Sequence, residues 1–388
     1  MKQGAGVPGR GFGLYIHWPF CQSKCPYCDF NSHVAAKIDQ KQWLDAYLRE
    51  IARTGQETVG QTLQSVFFGG GTPSLMDPEV AARIIEAVRA TWRMSNAPEI
   101  TLEANPTSVE AGRFAAYEAA GINRVSVGIQ ALDDEDLRKL GRMHSVAEGL
   151  RAIEIARATF SRVIFDLIYA LQGQDTTAWL AELQQALALG PTHLSLYQLT
   201  IEEGTVFHER HARGLLSGLP DEDLAADLFQ ITQEMCAEAG LPAYEVSNHA
   251  IPGEESNHNR TYWRGGDYVG IGPGAHGRLT IGGTRMATEC VRDPMHWMKS
   301  VLTAGTGELP RSDLSGGKAA TEYLLMGLRM YEGIHLERFA ELSDTAIDAE
   351  AIVFLQSQGL IQLAEGRLSV TAKGMPMLNL ILRELVPA

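Results

Sequence analysis

Tyr15-Ile-His-Trp-Pro-Phe-Cys-Gln-Ser-Lys-Cys-Pro-Tyr-Cys-Asp-Phe30 carries Cys21, Cys25 and Cys28 in a C-x3-C-x2-C spacing, three thiols within eight residues. Thiolates this close together can each hold one iron of a cubane [4Fe-4S] cluster. No fourth cysteine follows nearby, the remaining two being Cys236 and Cys290, so one iron is left open. An open iron can be chelated by the amino and carboxylate groups of S-adenosylmethionine (SAM). An electron passed to the sulfonium then breaks a C–S bond and gives a 5′-deoxyadenosyl radical. Chemistry of this kind belongs to the cofactors, and the protein's part is to ligate, orient and seal. The alternative for the same residues is zinc, held by the three cysteines with His33 or His17 as a Cys3His set. Structural zinc sites usually come as two separated ligand pairs, which favours iron–sulfur here. Cys236 and Cys290 stand alone in the sequence and read as buried, inert thiols.

Outward from this loop, short β-like runs alternate with helical patterns. The runs are Gly13–His17, Leu63–Phe68, Ile100–Ala104, Arg124–Gly128, Arg162–Leu167 and His193–Gln198. Between them, Trp43, Leu44, Tyr47, Leu48 and Ile51 recur at helical spacing, as do Val80, Ile84, Ile85 and Val88 after Pro78, and Leu180, Leu183 and Leu187. Strands alternating with helices predict right-handed βαβ units and a parallel sheet. Periodicity alone leaves both an open doubly wound sheet and a barrel. Polar candidates fall at the C-terminal ends of successive strands, where both architectures place their ligands: the Cys loop, Gly69–Thr72, Glu103, Gln130 and Asp166.

Residues 220–300 are less regular: a helix over Asp221–Gly240, then a Gly-rich stretch from Gly265 to Gly283. Gly305–Gly317 reads as a linker. Beyond it, helices near Ala319–Met330, Leu336–Leu342 and Asp348–Gln358 precede a hairpin of Leu360–Leu363 and Arg367–Val370, the pattern of a winged helix. The division expected is 1–215, 216–305 and 306–388.

Two further segments carry polar chemistry. Gly69-Gly-Gly-Thr-Pro-Ser74 directly follows the apolar run Leu-Gln-Ser-Val-Phe-Phe68, and glycines there let backbone N–H and C=O groups approach a small polar ligand closely. It lacks the Gly-Lys-Ser/Thr ending of a phosphate loop. His258-Asn-Arg-Thr-Tyr-Trp263 offers an imidazole able to ligate heme iron and two aromatic rings able to stack on a porphyrin, although a lone histidine beside aromatics is commonly a hydrogen-bonded core residue.

These residues together resemble the radical SAM superfamily. The flanking YIHWPFC and CPYCDF, GGGTP and HNxxYW are similar to its oxygen-independent coproporphyrinogen III oxidase-like family, which contains the HemW-type heme chaperones. The resemblance implies a partial (β/α)6 barrel with a C-terminal winged-helix-like α+β module. It implies a cluster on Cys21, Cys25 and Cys28, and SAM contacts from Tyr15, Tyr27, Gly70, Gly71, Thr72, Glu103, Gln130, Arg142 and Asp166. The residue types suit that ligand, since ribose hydroxyls want carboxylate acceptors and the SAM carboxylate wants a guanidinium. For heme it implies His258, Asn259, Tyr262 and Trp263, with His249 and His276 as rival axial ligands. Phe30 stands where the coproporphyrinogen dehydrogenases continue with a further cysteine, and the longer N-terminal segment of those enzymes is missing. Both departures point to a heme chaperone serving heme-requiring apoproteins such as respiratory cytochromes, with the dehydrogenase as the alternative. A homodimer stays open.

An excess of 47 Asp and Glu over 33 Lys and Arg leaves a charge of −14, which repels a phosphate backbone and argues against nucleic acid as a partner. A radical enzyme acting on nucleic acid through the C-terminal module is the remaining alternative. Residues 1–11 lack the apolar core of a signal peptide, and no run approaches the roughly 18 apolar residues a membrane span needs. With its cysteines clustered for ligation rather than paired, the chain is expected in the cytoplasm.

Overall fold

The computed structural model describes residues 11–386 apart from 36, 316 and 344. Residues 1–10, most of the stretch read as free of a signal peptide, lie outside the described residues. All six expected strands are present: β1 (Phe12–Trp18), β2 (Thr62–Gly70), β3 (Arg93–Ala104), β4 (Arg124–Gln130), β5 (Arg162–Tyr169) and β6 (His193–Gln198). Each pairs in parallel with the next, and helices Gln40–Glu57, Pro78–Thr91, Ala111–Ala120, Val146–Thr159 and Thr176–Ala188 fill the connections. This is the partial (β/α)6 barrel.

The alternation along β1 shows why the sheet holds. Leu14, Ile16 and Trp18 are fully buried on the helix side, where Trp18 meets Trp43 edge-on at 6.1 Å and Trp43 stacks on Trp297 at 5.6 Å. Tyr15 and His17 therefore point to the inner face, as do Ser65 and Phe67 of β2, Glu99 and Glu103 of β3, and Arg124 and Ser126 of β4. That inner face, unusually polar for a sheet buried on both sides, carries the candidate site.

The stretch 248–313 is more ordered than its sequence suggests. β7 (Asn248–Ala250) pairs antiparallel with β6. β8 (Asp267–Ile271) lies parallel to β1 on its other side, followed by the antiparallel β9 (His276–Ile281), β10 (Thr284–Glu289) and β11 (Ser312–Asp313). One sheet results, in the order β11-β10-β9-β8-β1-β2-β3-β4-β5-β6-β7. Glycine obscured these strands: at Gly270 a Cβ would come within 2.1 Å of the His276 carbonyl oxygen, so the close turn into β9 excludes the side chains that mark a strand.

The C-terminal part is the winged-helix-like α+β module. Helices Lys318–Gly327, Leu336–Leu342 and Ala349–Ser357 pack with the hairpin Ile361–Ala364 and Arg367–Val370, to which Ile334–His335 adds a third strand. A last helix, Leu378–Leu385, closes this core with Leu378, Ile381, Leu382 and Leu385. No helix among the described residues is long and apolar enough to cross a membrane.

Candidate functional site

A cavity of about 1020 Å³ opens at the C-terminal ends of the parallel strands and is roofed by the C-terminal module. Its walls bring together all three motif cysteines and eight of the nine residues expected around SAM: Tyr27, Gly70, Gly71, Thr72, Glu103, Gln130, Arg142 and Asp166. Tyr15, the ninth, lies beneath it, its hydroxyl bonded to His17 Nδ1 at 3.0 Å and its ring stacked on Phe67.

The cysteine loop is tied to the Gly-rich turn. Gly71 N–H donates to the Trp18 carbonyl at 2.7 Å, Thr72 N–H to that of Phe20 at 2.8 Å, and Thr72 Oγ1 to Cys21 Sγ at 3.4 Å. A Cβ on Gly71 would sit 2.7 Å from the Phe20 carbonyl oxygen, so the two segments can close only on glycine. Gly70 N–H donates to Glu103 Oε2 at 3.2 Å. The N–H groups of residues 70–72 are thus spent on the fold, which leaves carbonyls and the Thr72 hydroxyl as the turn's means of meeting a ligand.

Arg142 lies beside the loop, its Nη1 3.5 Å from Cys25 Sγ and its Nη2 donating to the Gly128 carbonyl at 2.8 Å. Burial raises the Cys21 and Cys28 thiols above their ordinary range, so ligation must displace their protons. Among the described residues no three His, Cys, Asp or Glu converge as a single metal ion requires. A cubane takes its thiolates at separate irons, so the donor set fits a cluster better than zinc. The histidines of the zinc alternative are engaged elsewhere: His17 Nε2 with the Asn31 carbonyl at 2.9 Å and His33 Nε2 with Asn31 Oδ1 at 3.2 Å. Bound there, a cluster and SAM would supply reductive C–S cleavage.

Glu103 and Asp166 face the cavity from β3 and β5. Burial pushes Glu103 up to about 8, with the Asp166 charge adding to it. Burial likewise lifts Asp166 to about 6, against the pull of Ser126, whose hydroxyl donates to Asp166 Oδ1 at 3.0 Å. Gln130 takes a left-handed φ of 75° where the β4–β5 register shifts, an irregularity that re-aims its side chain into the cavity.

The heme candidates lie elsewhere on the same inner face. The short helix Asn257–Trp263 packs under the cavity, its Asn257 and His258 N–H groups capped by the Glu99 carboxylate at 3.2 and 3.1 Å. Glu99 also pairs with Arg124 at 2.5 Å and Arg162 at 3.0 Å; burial would raise its pKa, but the two guanidiniums and N–H donors hold it below the ordinary value. His258 is 1% exposed, stacks on Phe67 at 4.9 Å, and bonds through Nδ1 to Ser65 Oγ at 2.9 Å and through Nε2 to the Tyr262 hydroxyl. Burial pulls it down to about 3, so it stays neutral. None of His258, Asn259, Tyr262 and Trp263 lines the cavity. Of the rivals, His249 is fully buried and His276 is exposed beside Glu289 at 3.9 Å.

The cavity also gathers residues that no local pattern announced. Phe229, Val246, Arg329, Met375 and Leu378 follow the six parallel strands in sequence and line the cavity together with the cysteine loop. Tyr197 belongs to β6, two residues beyond Ser195, and the period of two that places Glu103 on the inner face would have found it.

Comparison with known proteins agrees with this architecture. The radical SAM superfamily matches residues 15–181 and the HemN C-terminal domain residues 314–377. The chain is 41% identical to radical S-adenosyl methionine domain-containing protein 1, mitochondrial, of Mus musculus, over 96% of this chain and 87% of that protein. It is 35% identical to the heme chaperone HemW of Haemophilus influenzae, over 95% of this chain and 96% of the relative. Among solved structures, coproporphyrinogen III oxidase (HemN) from Escherichia coli superposes with a TM-score of 0.81 at 23% identity, covering 98% of this chain and 91% of that one, a likeness of fold. The chain belongs to the radical SAM superfamily, in its HemW-type, oxygen-independent coproporphyrinogen III oxidase-like family.

Proposed function

We propose that this protein holds a [4Fe-4S] cluster on Cys21, Cys25 and Cys28, binds SAM across the adjoining strand ends, and takes up heme for delivery to a heme-requiring apoprotein such as a respiratory cytochrome. The observation that carries the reading is the lining and size of the cavity. Thiols, Arg142 and two buried carboxyls line it together with the apolar side chains of Phe229, Val246, Met375 and Leu378, and a volume of about 1020 Å³ leaves room for a second, larger ligand beside SAM. Phe30, 57% exposed at the cavity wall, supplies an aromatic surface where a further cysteine would serve the dehydrogenase. The clustering of the cysteines for ligation supports a cytoplasmic setting.

Hemin titration of the anaerobically reconstituted protein, followed by transfer to an apo-cytochrome, tests the proposal. The expected result is a saturable Soret band that moves to the acceptor, and absence of the band rejects the reading. Incubation with coproporphyrinogen, SAM and a low-potential reductant is expected to yield no protoporphyrinogen; turnover would establish the dehydrogenase instead.

A further inference from the structure

We infer that Arg329 is the receptor for a carboxylate of the tetrapyrrole, held in place by Trp263 and Glu245, so that the HNRTYW segment acts on heme at one remove. The inference rests on the heme reading above and adds the residues that would select a carboxylate-bearing porphyrin.

The cavity wall carries two guanidiniums with different commitments. Arg142 is spent on the cysteine end, against Cys25 Sγ and the Gly128 carbonyl. Arg329, from the C-terminal module, lines the same cavity together with the apolar Phe229, Val246, Met375 and Leu378. Among the described residues the cavity's other cations, Lys24 and Arg142, belong to or lie beside the cysteine loop, so a planar apolar ligand lying against the C-terminal module with a carboxylate at its edge meets Arg329.

The supports of Arg329 explain why it stays available. Its guanidinium lies over the Trp263 ring, 4.7 Å from the centroid. The nearest carboxylate oxygen, Glu245 Oε2, is 3.6 Å away, too far for a hydrogen bond. Glu245 cannot approach further, because its Oε1 accepts from Ser247 N–H at 2.9 Å and from Asn248 Nδ2 at 2.5 Å. The guanidinium is thus oriented from below by a ring and a fixed charge while its hydrogen-bonding capacity is largely unspent, and a ligand carboxylate can take it up bidentately. Trp263 is in this sense a positioning residue: it reaches the ligand only through Arg329.

The test compares hemin with hemin dimethyl ester, titrated by Soret absorbance into the full-length, anaerobically reconstituted protein. Wild type is expected to bind the diacid about tenfold more tightly than the diester, the value of one charged hydrogen-bonded contact. Arg329→Gln should weaken hemin binding by about tenfold and leave the diester unchanged, and Arg329→Lys should recover part of the loss. Trp263→Leu should weaken hemin by a few fold in the wild-type background and not further in Arg329→Gln, a coupling that loss of a merely structural contact would not produce. Equal binding of diacid and diester by wild type, or hemin affinity in Arg329→Gln within twofold of wild type, overturns the inference while leaving the heme reading intact. Absence of any Soret band in wild type removes both. Equal binding of the two porphyrins by wild type overturns the inference even if no variant folds.

Discussion

The mouth and the floor of the barrel share one face of one sheet, and both carry sequence motifs rich in histidine, carboxylate and aromatic residues. At the mouth, the three thiols, the raised carboxyls of Glu103 and Asp166 and the re-aimed Gln130 border open volume. At the floor, Glu99 is saturated by Arg124, Arg162 and two backbone N–H groups, and His258 has both ring nitrogens in hydrogen bonds. Two motifs of similar prominence therefore differ in what they leave unspent. A polar group whose bonds are completed within the fold specifies structure, and one whose burial is uncompensated is poised for a ligand.

The sharpest way to break the comparison is at the thiols. Replacing Cys21, Cys25 and Cys28 together by serine is expected to abolish iron and sulfide incorporation, read by metal analysis and visible absorbance after anaerobic reconstitution. Iron retained at the wild-type level would place the cluster elsewhere. At the floor, His258→Ala opens a cavity and strands the Ser65 and Tyr262 hydroxyls, so a destabilisation of about 2–4 kcal/mol is expected in chemical denaturation. The position of the Soret maximum in the heme complex should not move. A shifted maximum would make His258 an axial ligand and would require the floor to open on binding.

A smaller effect tests whether the mouth is strained without its ligand. Glu103 and Asp166 have folded-state pKa values near 8 and 6, above those of an unfolded chain. A carboxyl raised on folding contributes stability below its unfolded pKa and loses it as pH rises toward the folded value. The cofactor-free protein should therefore become less stable between about pH 4 and pH 8 on account of these groups. Glu103→Gln should relieve that loss, raising stability at pH 8 by about 2 kcal/mol relative to wild type and leaving pH 5 nearly unchanged. Parallel pH profiles for the two proteins would show that Glu103 is not under this strain.

How much of this was legible in the sequence follows the same division. The six strands, the cysteine loop, Glu103 and Asp166 lie where a period of two and the strand-end rule put them, because each signal is local, whereas Gln130 obeys the strand-end rule alone and is re-aimed by the irregularity at its strand's end. The strands of 267–289 were hidden by glycines that the β8–β9 turn demands. The last helix carries Leu378, Ile381, Leu382 and Leu385 at helical spacing, a legible pattern that eight residues make easy to pass over. Arg329 had no signal at all, since its significance arises only when the C-terminal module brings it over Trp263. Whether His258 is saturated or free could not be read either, because Ser65, its partner, is 193 residues away in the chain.

His276 bounds the comparison from below. It was a rival axial ligand by residue type, yet it lies on β9 with its side chain 59% exposed, 3.9 Å from Glu289 on the paired strand. An imidazole so placed lacks the enclosure that would exclude water from a heme edge. His276→Ala should therefore change stability by less than about 0.5 kcal/mol and leave the heme spectrum and affinity as in wild type. Loss of the Soret band in that variant alone would move heme to the outer edge of the sheet, away from the cavity, and the contrast between mouth and floor would no longer describe where this protein binds its ligand.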